Sequence, residues 1–282
     1  MPVLVLVTAC STAGGNLAAP ESSAVAGVST LVPAGYDGRY RGTFTVLENL
    51  AHGPQACASV GESDPPTCEG PDVIGWNWSG LDAISGRGTT YGRYVVTGMW
   101  DGVRLRLTEP PHEAFQVVVP SNAQAEPRPS TSCPVPDGGW PEEPWANATD
   151  PEFIQDRTLH EIEVRAQLVP GYGEIWLDRR ENATIVNVTT TGDTAVIVDA
   201  VRQVYLGPLC VTQTLRSKTE LQEMQNALSA DPNVLYSSID SANAVLQVTA
   251  MAETTEFQQS LDAEFGSGSV VVYGLLEPID LR

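Results

Sequence analysis

The chain has 282 residues, 42% of them apolar, and a formal net charge of −20 at pH 7. That length and apolar content suffice for two domains of ordinary size. The acidic balance sets aside nucleic acid as a partner, because phosphate binding needs a positive face, and it sets aside direct adsorption of the protein surface to anionic lipid. No run of about 18 apolar residues occurs, so no membrane-spanning helix is expected.

The chain opens on Val3-Leu4-Val5-Leu6-Val7-Thr8-Ala9-Cys10-Ser11, a short apolar run ending in small residues and a cysteine. This resembles the lipobox of bacterial lipoproteins, in which the chain is cut before the cysteine and lipid is attached to its sulfur. The resemblance implies that residues 1–9 are a leader, short for a signal peptide and without its basic n-region. It implies lipid on Cys10 and a mature protein held by that anchor on the extracytoplasmic face of a cell membrane. Residues 10–35 are rich in Ala, Ser, Gly and Thr. Such composition buries too little apolar surface to offset the entropy of ordering, so a flexible tether is expected.

The region 36–119 reads as a small all-β domain. Arg39 to Glu48 alternates with period two, and further strands are expected at Val73 to Trp78, Thr89 to Thr97, Val103 to Thr108 and Phe115 to Val119. Asp101-Gly102 supplies a tight turn between two of them. Five short strands separated by turns suggest an OB-like barrel. Trp76 and Trp78 are the ligand-binding candidates on this domain, since exposed tryptophans offer flat apolar faces with a polar edge.

Assigning Cys10 to lipid leaves Cys57, Cys68, Cys133 and Cys210, which allow three disulfide connectivities. Cys57 and Cys68 enclose a short loop containing Pro65-Pro66, whose closure costs little entropy. The expected pairs are therefore Cys57 with Cys68 and Cys133 with Cys210, in an oxidising compartment. No C-x-x-C or H-x-x-x-H spacing occurs, and no metal is expected. The stretches His52-Gly53-Pro54-Gln55-Ala56-Cys57, Pro65-Pro66-Thr67-Cys68-Glu69-Gly70-Pro71 and Val73 to Trp78 together resemble a pattern of uncharacterised secreted or lipid-anchored actinobacterial proteins. That resemblance implies location and paired cysteines, and no activity.

Residues 120–150 form a Pro-rich linker, because proline removes backbone donors and breaks both helices and central strands. Trp140 and Trp145 within it are expected to cover a domain surface.

Residues 151–282 read as an α+β domain of two ββαβ units. Asp178 to Thr189 and Asp240 to Thr249 both show a strand ending in Asp, an Asn-containing turn and a strand ending in Val-Thr. Helices are expected at Thr194 to Tyr205 and Glu253 to Phe265, and following strands at Leu209 to Thr214 and Ser269 to Tyr273. Between the copies, Lys218 to Ser229 has helical apolar spacing, with Ser217 and Glu220 placed as a capping box. The two copies are expected to share one core. The unit resembles the C-terminal part of the pro-segments of secreted alpha-lytic-type bacterial proteases, which implies a fold and no activity for this chain.

No catalytic set stands out. Gly266-Ser267-Gly268-Ser269 follows a helix, which is the wrong context for a nucleophile elbow, and paired cysteines supply no thiolate. The three histidines are dispersed. His52 reads as a hydrogen-bonded loop residue, His112 lies in a Pro-rich turn and His160 in a helix. No phosphate-binding glycine motif occurs, and no cofactor is expected. The chain therefore reads as a non-enzymatic binding or interaction module of the cell envelope, taking an unknown protein, peptide or small ligand. The alternative is an envelope hydrolase using a carboxylate pair that 35 acidic residues make undistinctive.

Overall fold

A computed structural model describes residues 31–33, 35–114, 130–146, 149–180, 183–241 and 243–280. The leader, Cys10, most of the tether and the strand expected at Phe115 to Val119 lie outside the described residues. Mixed α+β structure dominated by sheet is observed, with four helices among the described residues.

The N-terminal region is organised by two long strands, β1 (Tyr40–Asn49) and β5 (Thr89–Trp100). They pair antiparallel from Tyr40 opposite Gly98 to Asn49 opposite Thr89. Tyr40, Phe44 and Val46 of β1 are buried with Tyr94 and Val96 of β5, as strand alternation requires. Short strands decorate this pair: β2 (Gln55–Cys57), β3 (Val73–Ile74), β4 (Ile84–Gly86), β6 (Leu105–Leu107) and β7 (His112–Glu113). The turn between β5 and β6 uses Asp101, whose Oδ1 accepts the backbone N–H groups of Val103 at 2.9 Å and Arg104 at 2.7 Å. Gly102 follows with φ +92°, a conformation that glycine adopts without steric cost.

The expected strand from Val73 to Trp78 stops at Ile74, because Gly75 turns the chain with φ +89°. His112 and Glu113 do not lie in a turn but pair with Val95 and Tyr94 of β5.

The OB-like closed barrel is not formed among the described strands. The edge of β1 away from β5 is taken partly by β2, at Thr45 to Leu47, and partly by the last strand of the chain, β13 (Val270–Pro278). The sheet therefore extends outward instead of closing on itself. A Cβ at Gly42 would come within 2.8 Å of the Leu275 carbonyl oxygen, so glycine there admits the approach of β13.

The C-terminal half repeats one arrangement. Helix α1 (Pro151–Gln167) leads into β8 (Tyr172–Arg180), β9 (Ala183–Thr190), α2 (Thr194–Arg202) and β10 (Leu209–Gln213). Helix α3 (Lys218–Leu228) leads into β11 (Tyr236–Asp240), β12 (Val245–Ala252), α4 (Thr255–Phe265) and β13. In each copy the first two strands are antiparallel and the second and third are parallel. The registers correspond too. Asp178 faces Ile185 as Asp240 faces Val245, and Val188 faces Val211 as Val248 faces Val272. The repeated unit is thus αββαβ, one helix longer than the sequence pattern suggests. Helix starts follow local chemistry. Asp193 caps α2, Thr254 caps α4, and Ser217 with Glu220 forms a capping box on α3.

The copies do not share one core. Ile162 and Ala166 of α1, Ile197 and Val201 of α2, and Val186 and Val188 of β9 pack in one cluster with Trp145. Leu221 and Leu228 of α3, Leu261 of α4, Leu246 and Val248 of β12, and Val270 and Val272 of β13 form another. The reason lies in the sheets. β8 to β10 form a separate three-stranded sheet, whereas β11 to β13 continue through β1 into the N-terminal sheet. Met251, Ala252 and Leu276 of the second copy accordingly lie in the N-terminal core. Val32, which composition assigns to the tether, is 1% exposed and exchanges backbone hydrogen bonds with Glu253 (2.8 Å) and Thr255 (2.9 Å).

Lys218 and Arg216 help tie the copies together. Lys218, the only lysine in the chain, reaches back from α3 to Glu163 of α1 at 3.2 Å and lies over the Tyr172 ring at 5.8 Å. Arg216 donates to the Ala244 carbonyl at 3.2 Å and to the Ser269 hydroxyl.

Candidate functional site

An open concavity lies where the N-terminal strands meet the second copy. The end of β1 turns sharply at Asn49, whose Oδ1 accepts the N–H groups of Ala51 (2.7 Å) and His52 (3.1 Å). The chain returns along β2 to Cys57, which is bonded to Cys68. Inside the loop that this disulfide closes, Gly61 donates to the Thr67 carbonyl at 2.8 Å. A Cβ at Gly70 would stand 2.2 Å from the Ala56 carbonyl oxygen, so the chain passing β2 there fits only glycine. Opposite this loop stand Leu235 and Tyr236, at the start of β11. The cleft between them has a volume of about 890 Å³ and is lined on the loop side by Ser59, Thr67 and Glu69 as well as His52. Such a volume lies within the range of small-ligand and peptide sites.

The side chains there are arranged for contact. Two backbone N–H groups fix the orientation of the Asn49 amide, so its Nδ2 faces the His52 Nε2 at 2.8 Å as the donor. His52 Nε2 is then an acceptor, and Nδ1 carries the proton that it donates to the Gly53 carbonyl at 2.7 Å. Both ring nitrogens are thereby engaged. Tyr236 is about half exposed and offers an aromatic face. Among the described residues, no group of three or more His, Cys, Asp or Glu is placed to hold a metal.

Trp76 and Trp78 stand away from this cleft. Their rings meet edge to face at 5.1 Å, and each meets Tyr94 edge to face, at 5.0 and 6.1 Å. Trp78 Nε1 donates to Glu48, and Tyr94 donates its hydroxyl to the Asp82 carbonyl. Both tryptophans pack against the N-terminal core. Trp76 Nε1 is buried without a hydrogen-bond partner. The trio holds the β3 end onto β5, and its faces are spent largely on one another.

The remaining cysteines organise the first copy. Cys133 is bonded to Cys210 of β10. The segment carrying Cys133 is fixed further by Thr131, which donates its N–H to Asp178 at 2.7 Å, and by Trp145, stacked on Tyr205 at 5.7 Å. Burial pushes the Asp178 carboxyl up, but the Thr131 N–H and the Arg180 guanidinium together hold it below the usual aspartate range. Burial, with Glu174 and Glu163 nearby, raises the Tyr172 hydroxyl far above the ordinary tyrosine value. Burial and Glu143 do the same for Tyr205. Neither supplies a phenolate. His160 is exposed on α1, and its neighbour Glu163 is spent on Lys218.

Sequence reasoning did not find the cleft. Its walls come from residues 49–69 and 235–236, far apart in the chain, and no local spacing announces such a meeting. No protein-family model matches the chain, and no curated protein sequence matches it.

Proposed function

We propose that the chain is an extracytoplasmic binding module, held on a membrane by lipid at Cys10, that takes its ligand in the cleft between the Cys57–Cys68 loop and Tyr236. One observation carries this reading. A wide cleft is walled on one side by a covalently pinned loop and on the other by a strand from the distant end of the chain. Pinning lowers the entropy that a loop loses on binding. The engaged ring of His52 favours recognition over turnover, since a general base needs a free ring nitrogen facing its substrate. The two disulfides fit an oxidising, extracytoplasmic setting. Among the described residues no helix is long and apolar enough to cross a membrane.

A photoreactive residue at Tyr236, in the chain expressed in its own envelope, tests the site. A discrete cross-linked species is expected. It should be absent when the probe is at Val103, a remote exposed position, and weakened when Cys57 and Cys68 are both serine. Equal labelling from Tyr236 and Val103 would contradict the assignment.

A further inference from the structure

The two αββαβ copies differ at one edge, and the difference points to an interface. In the first copy Val186 donates to the Pro208 carbonyl and Thr214 to the Thr190 carbonyl, both at 2.9 Å. Parallel pairing alternates, so the N–H and C=O groups of Leu209, Val211 and Gln213 face away from β9. In the second copy Leu246 donates to the Ser269 carbonyl at 2.9 Å, the equivalent bond. There the outward groups at the start of β13 are capped by one side chain, and β1 pairs with its far end. Gln258 of α4 donates to the Val270 carbonyl at 2.9 Å and accepts the Val272 N–H at 3.2 Å. Gln258 follows the α4 N-cap by four residues, and the same place in α2 is Ile197. Ile197 is apolar and fully buried, and it can make neither bond. Among the described residues β10 ends its sheet, with Ile197 in the place that Gln258 takes in the second copy.

We propose that the outer edge of β10 pairs antiparallel with β10 of a second copy of this chain, across a two-fold axis at Val211. An isologous contact needs a self-complementary surface, and the flanks of β10 provide one. Leu206 is 75% exposed and Leu215 83% exposed, one on each side of the strand. A two-fold axis at Val211 sets Leu209 against Gln213. It also brings Leu206 of one copy level with Leu215 and Arg216 of the other.

Both leucines sit on anchored backbone. Arg202 bonds the Tyr205 and Gly207 carbonyls, at 3.2 and 2.7 Å, around Leu206. Leu215 lies between the Thr214 bond and Arg216, which is tied into the second copy. Charge permits the approach. From Ala200 to Thr219 there is no Asp or Glu, while Arg202, Arg216 and Lys218 fall within the stretch, in a chain carrying 35 acidic residues. Two copies of net charge −20 therefore meet here with little repulsion. The product is a continuous six-stranded sheet that removes the unpaired edge.

Sedimentation velocity on the full chain carrying Cys10→Ala, which removes lipid as a cause of association, tests this across the micromolar range. A concentration-dependent dimer is expected, together with amide protection at Val211 that grows with dimer fraction. Leu206→Asp and Leu215→Asp, both at exposed positions that leave the cores intact, should each weaken association by about tenfold or more. A monomer at every concentration would overturn the proposal. So would a dimer whose affinity both substitutions leave unchanged, or one in which Val211 exchanges as it does in the monomer.

Discussion

Tyr40, the first residue of β1, stands directly opposite Pro278, the last residue of β13. This pairing fuses the beginning and the end of the described fold into one sheet. Arg39 reinforces it. Its Nη1 lies 2.6 Å from Glu109 and its Nη2 lies 3.1 Å from Asp280, while its carbonyl accepts the Ile279 N–H at 2.9 Å.

Arg39→Ala should act locally. Exposed ion pairs contribute little to global stability, so the thermal midpoint should hardly move. The amides of Ile279 and Asp280 should exchange faster, which hydrogen exchange with residue-level resolution will show. A large drop in the midpoint would mean that the Tyr40–Pro278 junction depends on this pair.

Separate cores predict separate responses. Ile197→Ala should destabilise by about 2–5 kcal/mol and raise exchange in β9 and α2 while leaving β12 protected. Leu261→Ala should do the reverse, opening β12 and α4. Equal loosening of both copies by either variant would show that the two clusters unfold as one.

The disulfides should also act on different regions. Each typically contributes about 2–4 kcal/mol. Replacing Cys133 and Cys210 by serine should lower the denaturation midpoint of the first copy and release the segment around Thr131. Replacing Cys57 and Cys68 should leave the first copy unchanged and loosen the cleft wall. Denaturant titration followed by exchange at Thr131 and Thr67 separates the two.

Asp178 predicts an acid response. Its folded carboxyl lies below the ordinary aspartate range. Its contribution is therefore complete above the unfolded value, about 3.9, and is lost as pH falls through the lower folded value. The Thr131 amide should lose protection in that window, and Asp178→Asn should produce the same loss at neutral pH. An amide equally protected in Asp178→Asn would show that the Thr131 contact does not depend on the charge.

Much of the fold was legible locally. Alternation marks β1, Asp101-Gly102 marks the turn before β6, and Ser217 with Glu220 marks the start of α3. The repeat showed in its Asp and Val-Thr positions, and the observed register places Asp178 and Asp240 equivalently. What was missed is non-local. Gly274 to Pro278 carries a glycine and a proline that argue against a strand, yet it pairs with β12 and β1 because both partners are already in place. Likewise α1 shows no sequence likeness to α3, and its role as the opening helix of the first copy appears only from its packing on Val186 and Val188. The cleft required that same long-range meeting, and Trp76 and Trp78 drew attention by residue type while their faces were committed to Tyr94.

Everything proposed for the cleft depends on the chain being held outside the cytoplasm at Cys10. Intact mass and membrane partition of the protein recovered from cells, measured beside Cys10→Ala, test this most directly. A chain beginning at Cys10 with an added lipid mass, membrane-bound and released by Cys10→Ala, is the predicted result. An unmodified Cys10, with both proteins partitioning alike, would contradict it.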